Sequence, residues 1–94
     1  MTLADIQRLP LGTTVYQAWF VIDAFAGAVD CTVRECVVRE LANGWRYLYY
    51  QTGDMVTSGK RFIFTDRSDA EAVLRDRLAV VRSRLSALAV KDIL

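Results

Sequence analysis

Apolar and polar residues alternate with a period near two over most of this chain. They switch to a helical period from Ser68 onward. Before the alternation starts, Thr2 can cap a short helix over Leu3 to Arg8, which Pro10 and Gly12 end. Thr13 to Ile22 (TTVYQAWFVI) is rich in β-branched and aromatic residues and reads as a first strand. Asp23 to Ala28, with Gly27, reads as a loop. Val29 to Leu41 forms a second strand, in which Val29, Cys31 and Val33 alternate with Asp30, Thr32 and Arg34. The apolar phase then slips at Arg34-Glu35 and resumes at Cys36 and Val38, which predicts a β-bulge. Asn43-Gly44 suits a type I′ turn, since both central residues need positive φ. Trp45 to Gln51 returns as a third strand, Thr52 to Gly59 makes a second turn region, and Lys60 to Phe64 is the fourth strand.

From Ser68 onward the pattern is helical. Ser68 with Glu71 three residues later reads as a capping box, and neither Pro nor Gly follows Gly59, so a helix is predicted from about Asp69 to Ala89. At about 1.5 Å per residue it would be roughly 30 Å long. The predicted fold is α+β in one domain over residues 1–94: a short N-terminal helix, a four-stranded bent antiparallel sheet or small SH3-like barrel, and a long C-terminal helix. Phe62-Ile63-Phe64-Thr65 followed by Ala70-Glu71-Ala72 has the form F-x-F-T-x-x-x-x-A-E-A. In this it resembles small bacterial and phage proteins of unknown function, whose strongly bent, SH3-like sheet leads into a C-terminal helix. The resemblance covers Gly12 to Leu78 and implies a fold without a chemistry.

The helix carries the most information about partners. Leu74, Leu78, Val81, Leu85 and Leu88 make a heptad seam, flanked by Arg75 and Arg82 at e and by Arg77, Arg84 and Lys91 at g. Self-pairing through this seam would set like charges side by side, so the seam should meet the protein's own sheet or an acidic partner. A second stripe of Ala72, Val73, Ala79, Val80, Ser86, Ala87 and Val90 runs along the other side. A surface helix normally has one apolar stripe. Two stripes point to burial on both sides, one on the sheet and one on a second subunit or another protein.

Composition narrows the chemistry. The chain has 94 residues, 53% hydrophobic, with a net charge of +1 and no histidine. The length fits one small domain, and the missing histidine removes the commonest general base and zinc ligand. Cys31 and Cys36 are five apart on one strand, an odd spacing that turns them to opposite faces, too far apart for a disulfide. Neither has a histidine to activate it. Asp30, Glu35 and Glu40 read as solvated strand positions, and Gly53 to Lys60 lacks phosphate-loop spacing. No catalytic, cofactor or metal site is expected, and therefore no enzyme. Ten arginines against two lysines hint at a GC-rich bacterial or phage genome. No targeting segment or membrane span is visible, so a cytoplasmic location is expected.

The near-neutral total hides a segregation. From Ala72 to Leu94, four arginines and one lysine face only Asp76 and Asp92, a local excess of +3. Trp45, Tyr47 and Tyr49 share one face of the third strand, with Leu48 and Tyr50 on the other, which is more aromatic surface than one small core takes up. The expectation is a protein-interaction module, such as a small phage-type inhibitor (of a host defence complex, for instance) or accessory factor, or a homodimer through the C-terminal helix. Its contacts would come from Arg75, Arg77, Arg82, Arg84, Trp45, Tyr47 and Tyr49. The alternative is a nucleic-acid-binding module using the same arginines, with aromatics stacking on bases.

Overall fold

A computed structural model describes residues 1–23, 25, 28–84 and 89–91. The elements are α1 (Leu3–Arg8), β1 (Thr14–Asp23), β2 (Ala28–Glu40), β3 (Arg46–Tyr50), a 3-10 turn (Lys60–Phe62), β4 (Ile63–Phe64), α2 (Arg67–Arg84) and β5 (Ala89–Lys91). The antiparallel sheet has the order β3-β2-β1-β4, and β5 pairs in parallel with β2. The class is α+β as expected. Of the two predicted forms, an open sheet or a closed barrel, the chain adopts the open sheet.

The β1–β2 ribbon organises the molecule. Its register runs without interruption from Thr14↔Val37 to Asp23↔Ala28, so the bulge predicted at Arg34-Glu35 is absent. The apolar phase slips for another reason: the two ends of the ribbon bury opposite faces. Near the start of β1, Val15, Cys36 and Val38 join Ile6, Leu48, Val56 and Ile63 in a first core. Toward the hairpin tip, Ala18, Val29 and Cys31 join Ala70, Leu74, Leu78 and Val81 in a second. Side chains alternate across a strand, so shifting burial by one position moves it to the other face.

The first core is closed by short pieces. The Thr2 hydroxyl accepts from the Asp5 N–H at 3.2 Å and the Asp5 carboxylate accepts from the Thr2 N–H at 2.9 Å, a reciprocal cap that starts α1 and presents Ile6 inward. Gln7 then pairs with the main chain of Arg46, its amide donating to the carbonyl at 2.6 Å and its oxygen accepting from the N–H at 2.9 Å. The Arg46 guanidinium donates to the Leu9 carbonyl. Beyond β3, Val56 N–H donates to the Leu48 carbonyl at 3.0 Å, laying the following segment across the same core. Gly59 has φ +74°, and a Cβ there would lie 2.8 Å from Gln17 Nε2.

The second core is one helix on one ribbon. Ala70, Leu74, Leu78 and Val81 lie along the inner side of α2 and are buried against β1 and β2. The heptad seam therefore meets the protein's own sheet over Leu74, Leu78 and Val81. Leu85 and Leu88 lie outside the described residues.

Several boundaries differ from expectation. The β2–β3 turn closes with Gly44 N–H donating to the Leu41 carbonyl at 2.9 Å, so Ala42 and Asn43 are its central residues. Gly44 follows at φ +84°, the pattern of a type I turn with a left-handed glycine after it, and not a type I′ turn on Asn43-Gly44. Trp45 consequently falls outside β3. The fourth strand keeps only Ile63 and Phe64, because Lys60–Phe62 coil into a 3-10 turn. Helix α2 starts at Arg67, so Ser68 sits inside its first turn, and Glu71 bonds Arg67 Nε at 3.0 Å and Arg75 at 3.4 Å. The predicted run to Ala89 is also corrected: Ala89 belongs to β5, and residues 85–88 lie outside the described ones.

Candidate functional site

The residues singled out from the sequence fall into two separate groups. On α2, Arg75 is exposed and pairs with Glu71 at 3.4 Å, and Arg82 is exposed. The Arg77 guanidinium lies 4.4 Å from the Phe62 ring centroid and 5.8 Å from that of Phe20, so aromatic faces of its own protein hold it. Arg84 ends α2, and its side chain lies outside the description. The aromatic group sits on or beside β3, at the other edge of the sheet from β4. Trp45 is exposed, Tyr47 is half-buried against the first core with Lys60 Nζ 5.6 Å from its ring, and Tyr49 is half-buried opposite Val37 with Arg39 at 5.8 Å. The expected common aromatic face is thus divided among separate environments.

Where it is described, the second helix stripe faces outward except at Val73, which packs against the second core. Ala72 and Ala79 are exposed, Val80 is 52% exposed and Val73 is half-buried. A shallow cleft of about 400 Å³ opens beside Val80, lined by Phe20, Val81, Asp76 and Arg77. Ile22, two positions after Phe20 on the same face of β1, is also exposed. Ile22 and Val80 are thus exposed on the strand and helix flanking the half-buried Phe20, with Arg77 at the rim.

Sequence reasoning missed a third place, where burial changes faces. Gln17 and Arg34 are cross-strand partners there. Gln17 is buried; its amide donates to the Ser58 carbonyl at 3.0 Å and its oxygen accepts from the Tyr50 hydroxyl at 2.7 Å. The half-buried Arg34 guanidinium lies 3.8 Å from the Trp19 ring centroid and 5.6 Å from that of Tyr50. Beside it is a cleft of about 610 Å³, lined also by Glu35, Gln51, Asp54 and Arg67. The one signal in the sequence was Gln17, a lone polar residue inside the apolar run from Val15 to Ile22.

Both cysteines are buried and in no disulfide, Cys31 in the second core and Cys36 in the first, on opposite faces as their spacing predicts. Burial pushes the Cys36 thiol up to about 11, against the milder pull of Arg34. Cys36 is therefore a protonated, weakly nucleophilic thiol at neutral pH. Among the described residues no three His, Cys, Asp or Glu side chains are placed to hold a metal ion, and no helix is long and apolar enough to cross a membrane.

No protein-family model, no curated protein and no solved structure matches this chain. The likeness drawn from Phe62–Thr65 and Ala70–Ala72 thus extends to the α+β arrangement of sheet and C-terminal helix and no further.

Proposed function

We propose that this chain is a non-enzymatic protein-interaction module that docks on another protein through the outer side of α2 and the adjoining end of β1. The observation that carries this reading is the exposed Ile22 and Val80 on either side of the half-buried Phe20, bordered by Arg77. Exposed apolar groups rimmed by charge suit a contact that buries the apolar centre and leaves the charges at its edge. Helix α2 contributes five arginines against three carboxylates, which favours an acidic partner surface. An inhibitor or accessory factor that works by occupying such a surface fits this arrangement. A second copy of the chain would have to use the same outer side, since Leu74, Leu78 and Val81 are already covered by the sheet.

The test is capture from the source cell with wild type and with Val80→Asp. An exposed valine tolerates this change with little loss of stability. A protein retained by the wild type and lost with the folded variant supports the reading, whereas equal retention rejects this surface. Sedimentation of the purified chain at high concentration separates self-association from a second protein.

A nucleic-acid reading draws on the exposed Arg75 and Arg82 and on the aromatic-backed Arg77. Glu71 and Asp76 on the same helix weigh against it. Binding to a labelled single strand at low salt, falling steeply as salt rises, would favour it over the protein contact. No shift at low salt would eliminate it.

A further inference from the structure

The outer edge of β1 is only partly covered. On one side β2 pairs with β1 along its whole length, from Thr14 to Asp23. On the other side β4 pairs only with Tyr16 and Gln17, because the chain ahead of Ile63 coils into the 3-10 turn Lys60–Phe62 and leaves the line of the strand. No described strand lies beside Trp19 to Ile22 there, and β5 sits beyond β2, at the far edge of the sheet. The Val38 N–H donates to the Thr13 carbonyl at 3.0 Å, so odd-numbered residues of β1 turn their main-chain groups to β2 and even-numbered ones turn theirs to the outer edge. Those of Phe20 and Ile22 have no main-chain partner there among the described residues. Open strand edges are normally blunted by charge, proline or glycine bulges. Thr14 to Ile22 holds no charged residue, proline or glycine, and Val21 and Ile22, on opposite faces, are 42% and 45% exposed.

The side of α2 next to this edge is self-complementary. Phe20 shares a cleft with Asp76, Arg77 and Val80. Asp76 precedes Val80 by four residues and Arg84 follows it by four, so the three lie along one side of the helix, from which Arg75 and Arg82 turn away. A twofold axis normal to the sheet at Val21 would run β1 antiparallel to its mate, with Phe20 opposite Ile22 of the other copy. It would keep both helices on one face, antiparallel, with their Val80 sides together and Asp76 of each level with Arg84 of the other. A foreign strand would satisfy the edge alone. A second copy covers the edge and the helix side by one operation and matches opposite charges.

We infer that the chain forms a symmetric dimer by antiparallel pairing of two β1 edges about Val21, with α2 against α2 around Val80. This rests on the reading of the α2–β1 surface as an interface and names its occupant. The pairing is closed, since each copy uses up the open edge of the other. A few strand residues and two helical turns per copy bury little, below about 1,200 Å², so a roughly micromolar dissociation constant is expected.

Sedimentation equilibrium of the purified chain should show monomer and dimer in exchange. Ile22→Pro removes the outward N–H without touching a bond to β2, and should raise the dissociation constant about tenfold or more, whereas Ile22→Thr, which keeps that N–H, should dimerise better than Ile22→Pro. Asp76→Arg should weaken the dimer, and adding Arg84→Asp should restore it. Val21→Cys should form a disulfide between copies under mild oxidation, because facing residues at such a position have Cα atoms about 4.5 Å apart, while Cys31 and Cys36 are buried. The charge exchange and the disulfide decide the matter even where circular dichroism shows Ile22→Pro unfolded. A monomer at every concentration overturns the proposal; the docking reading survives that result where Val80→Asp still loses a captured protein, and both fall where it does not. A dimer indifferent to Ile22→Pro and Asp76→Arg, or Val21→Cys that stays reduced, overturns the proposal too.

Discussion

The two cores of this protein share one ribbon and are built in opposite ways. The first gathers buried residues from six segments between Ile6 and Ile63 and is held together by polar stitches. Gln7 ties α1 to β3, Gln17 ties β1 to Ser58 and Tyr50, and the Met1 amine donates to the Lys60 carbonyl at 2.7 Å. The second sets the inner side of one 18-residue helix on the other face of the same two strands. Short segments cannot bury enough apolar surface alone, so they need specific hydrogen bonds, whereas a helix of five turns brings its own apolar stripe. The two arrangements meet at Gln17 and Arg34, the first buried and the second half-buried.

The deepest cuts test whether the two cores melt as one. Leu48→Ala and Leu74→Ala each remove a fully buried side chain and should each cost about 2–5 kcal/mol. Because both cores rest on β1 and β2, a single cooperative denaturant transition is expected in each variant. A biphasic transition for Leu74→Ala, with the first core surviving, would show two separable units. The cysteines report the cores individually. Thiol labelling under native conditions should accelerate more at Cys36 in Leu48→Ala and more at Cys31 in Leu74→Ala.

Intermediate effects are expected at the junction. Tyr50→Phe removes the donor to Gln17 and leaves a buried carbonyl oxygen unsatisfied, at a cost of about 1–3 kcal/mol. Gly59→Ala strains a left-handed residue and drives a methyl group against Gln17. Gly53→Ala, at φ +95° with nothing within 4 Å, carries only the conformational penalty of about 1–2 kcal/mol. Urea melts should therefore rank Gly59→Ala below Gly53→Ala, and equal midpoints would mean that the Gln17 contact contributes nothing.

Legibility in the sequence followed the range of the interaction. The α1 cap, the strand order along the chain and the inner seam of α2 were readable, because capping and periodicity are written in neighbouring residues. The slip at Arg34-Glu35 was visible too, yet an alternation that changes phase looks the same for a bulge and for a change of covered face. Only the unbroken register of β1 with β2 separates them. The turn at Leu41–Gly44 was displaced by one residue for a similar reason, since a left-handed glycine serves both turn types. On the candidate sites, Arg77 was named but its stacking on Phe62 was not, and the Trp19–Arg34–Tyr50 array was missed. Those contacts join three strands, and no local pattern encodes which residues become diagonal neighbours.

The smallest effect separates the two cores by pH. The Asp5 carboxyl is held below its usual value of 3.8, first by the hydrogen bond from the Thr2 N–H, then by the Thr2 hydroxyl, with Arg8 at 3.9 Å adding attraction. A carboxylate lowered on folding stabilises the native state above its unfolded value and loses that contribution as pH falls through the folded one. The Asp5 cap should therefore act fully at neutral pH and fade below about pH 4, loosening α1 over the first core. Helix α2 has no part in this cap. Amide protection of Ile6 should decline with the Asp5 titration, while that of Leu78 does not track it. Asp5→Asn, which cannot ionise, should remove this step at Ile6, and a decline that persists in the variant would place its origin outside the cap.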